Sequence, residues 1–231
     1  MGLMSENRFD LKKGVLVDTL SNFARSMNET HRICTHEISG HLHLLRFCID
    51  ELISEKNDDN QLMSKLEEGV TKLESLNKLW KICTRFLDPT NDMTLLSMVE
   101  RGVGLASLYN QKFLDEIDYD VEGELELPLA KGIVMAEAIF ASCSLICHFA
   151  IQQKVRNVKL EISVLDSTAG IVDINSSVNK VSRQEVEEIL KFGNENEKSL
   201  RRQVGAQTIE GFGGRFEYIS EDEFFKVRLS L

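Results

Sequence analysis

Proline is scarce in this chain, with two in 231 residues, and few helix breakers mean long helices and few tight loops. Positive charge is short as well. Lysine and arginine number 27 against 37 aspartates and glutamates, a formal charge of -10, so little is available to displace counterions from a phosphate backbone and nucleic acid is not an expected partner. No apolar run approaches the roughly 20 residues that cross a bilayer. The first residues are acidic and polar where a signal peptide has its apolar core. A soluble, cytoplasmic protein with no membrane partner is therefore expected. Five cysteines, an odd number without repeating spacing, point to reduced thiols rather than a disulfide framework. The length suits one large or two modest domains.

From about Phe9 to Glu55 apolar residues recur at three and four with no proline, which predicts one long helix. The polar stretch Glu55 to Asn60 turns the chain into a second periodic segment, Gln61 to Leu87, that ends at Asp88-Pro89-Thr90-Asn91. A helical hairpin over residues 1–90 follows. Beyond it, over residues 91–231, the pattern becomes mixed. Asp92 caps a helix from Met93 to about Gln111, Lys112 to Tyr119 reads as a strand and Asp120 to Glu126 as an acidic loop. Pro128 to about Gln153 reads as a buried helix, and Val158 to Val164 and Gly170 to Ile174 as strands about a turn at Asp166-Ser167-Thr168. Helices at Ser182 to Lys191 and Glu197 to Glu210 precede a glycine turn, Gly211 to Gly214, and two strands, Arg215 to Ile219 and Phe224 to Leu231.

At about 100° per residue, Ile38, Leu42, Leu45, Ile49 and Leu52 form one apolar stripe on the first helix, and His36 projects on the opposite side. Arg32, Gly40, His43, Phe47 and Asp50 share that outward face, with a glycine one turn after the histidine. A neutral imidazole is a competent phosphoryl acceptor, and imidazoles are in good part neutral near pH 7. Glu37 stands next to His36, where a carboxylate can hold the ring. A surface histidine on a helix is more often without function, and an exposed aromatic such as Phe47 more often packs on a neighbouring helix, so periodicity alone leaves the face open.

Other constellations carry less. Cys143 and Cys147 share a helical face beside His148 but have no further ligands for a metal, and read as buried free thiols. Gly102-Val103-Gly104 and the Gly211 to Gly214 run read as backbone geometry rather than phosphate loops, and the acidic stretch from Asp118 to Glu126 as a solvated loop.

Thr35-His36-Glu37-Ile38, with Leu42 following, resembles the H-box of the dimerisation and phosphotransfer domain of sensor histidine kinases, usually Ser-His-Glu-Leu-Arg-Thr-Pro-Leu; Ser39, Gly40 and His41 replace its Arg-Thr-Pro portion. The order of the downstream elements fits the same family over nearly the whole chain. That resemblance implies an α+β fold: a long helical hairpin that forms a four-helix bundle on dimerisation, followed by an α/β sandwich of the histidine-kinase ATPase type. The family holds magnesium with an asparagine on the sandwich's long helix and contacts adenine with Asp-x-Gly. Here the helix reads Ala136 to Ser144 without asparagine, the strand carries Asp173-Ile174-Asn175 without the glycine, and Lys191 to Asn196 lacks the lid glycines. The closing helix, Gly-Gly turn and hairpin are retained. A scaffold kept while its ligand residues are gone is similar to the ChpT-type histidine phosphotransferases.

What the resemblance implies is a phosphorelay protein without kinase activity of its own. His36 carries the phosphoryl group and Glu37 orients it. Arg32, Gly40, His43 and Phe47 meet the receiver domain of a response regulator. The chain is a homodimer with no cofactor, and magnesium comes with the partner receiver. An ATP-dependent sensor kinase core and a docking module that transfers nothing remain alternatives. Receiver dephosphorylation is disfavoured, because Gly40 stands where the family usually places a Thr or Asn that positions water.

Overall fold

The computed structural model describes residues 31–32, 35–51, 59–84, 92–110, 114, 116–190, 205–219 and 223–231. The chain divides into two compact units, one made of Ala24–Arg85 and the other of Met1–Phe23 with Phe86–Leu231. The expected loop over Glu55 to Asp58, the stop at Asp88 to Asn91, the lid segment Lys191 to Asn196 and the helix start at Glu197 lie outside the described residues.

In the smaller unit helix α1 covers 35–51 and helix α2 Asp59–Thr84. Asp59 and Asn60, expected in the loop, already belong to α2. The seam between the helices holds Cys48, Leu62 and Leu76, which are buried, with Leu45, Leu66 and Leu73 half-buried beside them. Gly69 sets the spacing. A β-carbon there would stand 2.8 Å from Leu45 Cδ2, so the glycine admits a leucine from the facing helix. The apolar stripe of α1 is thereby divided: Leu45 turns toward α2, whereas Leu42 and Ile49 stay exposed at 54% and 48%. Met63 and Val70 are exposed likewise on α2. Each exposed pair repeats at seven residues. At 100° per residue both pairs sit about 80–90° from the seam, and in an antiparallel hairpin they fall on the same side.

The larger unit is an α/β sandwich. Helix α3 covers Leu95–Asn110 and helix α4 Leu129–Gln152. They pack together against a five-stranded sheet whose strands are β2 (Glu116–Glu122), β4 (Asn157–Asp166), β5 (Ile171–Asn179), β6 (Arg215–Ile219) and β7 (Phe224–Ser230), in the order β2-β4-β5-β7-β6. Only β2 and β4 run parallel, with α4 crossing between them; the other pairs are antiparallel. A two-stranded antiparallel ribbon of β1 (Met93–Thr94) and β3 (Glu126–Leu127) closes one end. Helix α5 (Arg183–Leu190) starts on a capping box in which Ser182 Oγ accepts from Glu185 N–H at 3.3 Å and Glu185 Oε2 accepts from Ser182 N–H at 2.9 Å. A last described helix, α6, spans 205–211.

Alternation decides which sheet face meets the helices. Val158, Leu160 and Ile162, Val172, Ile174 and Val178, and Phe225, Val227 and Leu229 are all buried. Phe225 meets Phe149 of α4 edge to face at 5.3 Å, so these residues mark the helix side. Helix α4 is long and apolar enough by composition to cross a membrane, against the expectation that no such run exists. The most apolar window of this helix is 89% buried inside the fold.

Three expected boundaries shift. Helix α3 begins at Leu95, capped by Thr94, whose Oγ1 accepts from Ser97 N–H at 3.3 Å; Asp92 lies before β1. Half of the expected acidic loop belongs to β2, where Asp118, Asp120 and Glu122 alternate as exposed side chains with Ile117, Tyr119 and Val121. Strands β4 and β5 run longer than expected, joined by a turn in which Asp166 Oδ1 accepts from Thr168 and Ala169 N–H.

Candidate functional site

Helix α1 carries His36 on its exposed side. Gly40, His43 and Phe47 are exposed on the same helix, Phe47 at 57%, and Arg32 is exposed in the short helical piece just before it. Glu37 is half-buried, as are Ile38 and His41 nearer the seam. Arg46 and Asp50 approach at 4.0 Å on the exposed side. His36, Glu37, Gly40, His43 and Phe47 thus lie on α1 and Arg32 just before it, with His36 and His43 on nearly the same face and His41 nearer the seam. At Gly40 a β-carbon would meet nothing within 4 Å. Glycine inside a helix costs about 0.5–1 kcal/mol relative to alanine, and no packing among the described residues requires it here. A hollow is left one turn beyond His36.

The two carboxylates nearest to nucleotide-type positions in the larger unit are both engaged by the chain itself. Glu137 on α4 accepts from Arg101 Nη2 of α3 at 2.8 Å, with side-chain exposures of 6% and 0%. Asp173 of β5 accepts from Arg228 Nε and Nη2 at 2.7 and 2.9 Å and from Lys226 Nζ at 2.7 Å. Arg228 is its direct cross-strand partner on β7. Lys226 and Arg228 alternate with the buried Phe225 and Val227, so Asp173 lies on the sheet face turned away from α4. Both carboxylates are thus already paired with cations of the chain itself. Sequence reasoning did not foresee either pair. A signal for the first existed, since Glu137 is the one acid in α4 and Arg101 the one base in α3. Asp173 and Arg228 lie 55 residues apart, beyond any local pattern.

Burial pushes the Asp173 carboxyl up, but the hydrogen bonds and charges of Arg228 and Lys226 outweigh it and hold it below the usual aspartate range. A folded-state value below the unfolded one contributes stability that is present above about pH 3.9 and lost as pH falls through the lower folded value. Asp173→Asn is accordingly expected to cost about 1–3 kcal/mol at pH 7 and to flatten the acid limb of stability. Urea unfolding at pH 7 and at steps down to pH 3 measures both; an unchanged acid limb in the variant contradicts the account.

No protein-family model matches the chain, and no curated protein matches it by sequence. Solved structures do match. A bacterial phosphotransferase is similar at a TM-score of 0.58 and 13% identity, the match covering 89% of this chain and 96% of that one. The histidine kinase AdeS of Acinetobacter baumannii gives 0.44 at 13% identity over 85% and 96%. The histidine kinase domain of the blue-light-activated kinase EL346 of Erythrobacter litoralis gives 0.44 at 11% over 90% and 94%. The 0.58 match covers 89% of the chain, so the chain shares the fold of that bacterial phosphotransferase.

Proposed function

We propose that the chain is a histidine phosphotransferase of a bacterial two-component phosphorelay, taking a phosphoryl group from one receiver domain and passing it to another through His36. The observation that carries this reading is the exposed imidazole one turn before a helix glycine whose β-carbon position no described residue approaches within 4 Å. A neutral ring nitrogen of His36 attacks the phosphorus of a receiver's aspartyl phosphate. The bond from phosphorus to the aspartate oxygen breaks, and the aspartate leaves as a carboxylate. Little more is asked of this chain than a positioned nucleophile. Glu37 orients the ring, and Arg32, Gly40, His43 and Phe47 meet the receiver, which brings its own magnesium. The cytoplasm is where such receivers work. Incubation with a purified phosphorylated receiver domain, followed by mass spectrometry under alkaline conditions, tests the reading; it fails if no phosphohistidine forms with any candidate receiver.

An ATP-dependent kinase core is the competing reading, and nucleotide titration separates the two. With Asp173 held by Arg228 and Lys226 and Glu137 held by Arg101, calorimetry is expected to find no ATP affinity tighter than millimolar with or without magnesium. Micromolar, magnesium-dependent binding restores the kinase.

Two copies of the hairpin are proposed to pair as a four-helix bundle. Leu42, Ile49, Met63 and Val70 supply the apolar face, because they lie exposed on one side of the hairpin and a two-helix hairpin leaves that side uncovered. A charge at Leu42 or Ile49 would be buried without a partner in such a dimer. Ile49→Asp is expected to scatter light as a folded monomer where the unmodified protein scatters as a dimer. A monomeric unmodified protein sinks the bundle.

A further inference from the structure

A groove of about 460 Å³ opens in the larger unit where the start of α3 meets the end of β2 and the ribbon strand β3. Thr94, Leu95 and Leu96 form one wall, and Val121, Gly123, Glu124, Leu125 and Glu126 the other. Its floor is apolar. Leu95 and Leu125 are nearly wholly buried beneath it, while Leu96 stands 52% exposed at the rim. The walls are tied by backbone: Leu95 N–H donates to Leu125 C=O at 2.7 Å, and Thr94 pairs with Glu126 across the ribbon. Gly123 adopts a left-handed φ of +91°, and a β-carbon there would come within 3.0 Å of Val164. That turn is therefore held in one shape, and the groove is preformed.

The segment that forms its wall is acidic, with Lys159 of β4 the basic register neighbour of Asp118. Between Lys112 and Lys131 the sequence carries no lysine or arginine but has Asp115, Glu116, Asp118, Asp120, Glu122, Glu124 and Glu126. The last five are exposed, and none forms an ion pair with a lysine or arginine among the described residues. Acids along an edge strand discourage pairing between sheets, and acids near the start of α3 suit the helix dipole. Neither role calls for an apolar hollow beneath them.

We propose that this groove docks a basic segment of a protein partner: one large apolar side chain seated on Leu95, Leu96, Val121 and Leu125, with flanking lysines or arginines meeting Glu122, Glu124 and Glu126. Apolar seating supplies residence and the carboxylates supply steering and register, a division common to interfaces of this kind. The proposal does not depend on His36.

The probe is a fluorescein-labelled peptide, Gly-Lys-Arg-Phe-Lys-Arg-Gly, titrated with the full chain by fluorescence anisotropy at physiological salt, where long-range charge attraction is damped. Leu96→Ser and the double variant Glu124→Gln/Glu126→Gln are each expected to weaken binding about tenfold or more, and replacing the peptide's phenylalanine by serine to do the same. Glu188→Gln/Glu210→Gln removes equal charge from exposed positions elsewhere and is expected to change affinity less than about threefold. All substituted side chains are exposed, so circular dichroism should report an unchanged fold. Absence of saturable binding, equal losses in both double variants, or equal binding of the serine peptide overturns the proposal.

Discussion

His36→Ala is expected to take up no phosphoryl group from a phosphorylated receiver, and His43→Ala to be labelled as the unmodified chain is. His43 is the serious rival because it is exposed, seven residues on, and two turns along nearly the same face. Side chains on a helix lean toward its N-terminus and cover the preceding turn. A side chain at position 40 would lean back over His36, and glycine there leaves that approach clear. Phe47, 57% exposed, stands one turn beyond His43, so His43 lacks the open approach that Gly40 gives His36. The resemblance adds that the acid directly follows the histidine at 36 and 37, while His43 is followed by Leu44. Mass spectrometry under alkaline conditions on both variants in parallel decides between them. Label surviving in His36→Ala overturns the assignment, and label in no variant favours a docking module.

Glu137→Ala is expected to remove most of the stability of the larger unit. Arg101 is fully buried and Glu137 nearly so, with 2.8 Å between them. Removing the carboxylate takes its 2.8 Å partner from a fully buried guanidinium, at a cost of about 3–5 kcal/mol. Whole domains are stable by only about 5–15 kcal/mol. The pair is not thereby a large net stabiliser, because desolvating both charges consumes much of their attraction. Arg101→Met/Glu137→Met, which removes both, is therefore expected to lie within about 1–2 kcal/mol of the unmodified protein. Urea denaturation of the single and double variants measures this. A double variant as damaged as Glu137→Ala would mean that the positions matter for shape and not for charge.

The helices were legible in the sequence because their signals are local. The 3.6-residue period marked α1 and α2, and the charged segment Ser182 to Lys191 marked α5, which spans Arg183–Leu190. Where partners lie far along the chain, local pattern stopped short. The stripe from Ile38 to Ile49 predicted an apolar face but not that Gly69 draws Leu45 to α2 and leaves Leu42 and Ile49 outside. The strand expected to end at Tyr119 continues to Glu122, although Asp120 to Glu126 looked like an acidic loop by composition. The alternation of its acids with Ile117, Tyr119 and Val121, a period of two, is what makes it an edge strand beside β4. Thr94 displaced Asp92 as the cap of α3 because pairing of Met93 with Leu127 commits the preceding residues to a strand. Asp173 kept its place in the expected order of elements. Its neighbours on β7 decided that it would face away from α4.

Strand β7, the last of the described strands, lies inside the sheet between β5 and β6, and it contributes the buried Phe225, Val227 and Leu229 to the layer under α4. During synthesis the segments from α3 to β5 leave the ribosome before their central neighbour exists. The layer beneath α4 stays open until the final hairpin arrives, and α4, with the length and apolarity of a membrane-crossing helix, is the surface most exposed in the interval. The hairpin of α1 and α2 has no such wait, since its contacts close over a short stretch of chain. The nascent protein is thus ordered in time, with the histidine-bearing arm able to form before the sandwich closes, and chaperone demand should fall on the second of these.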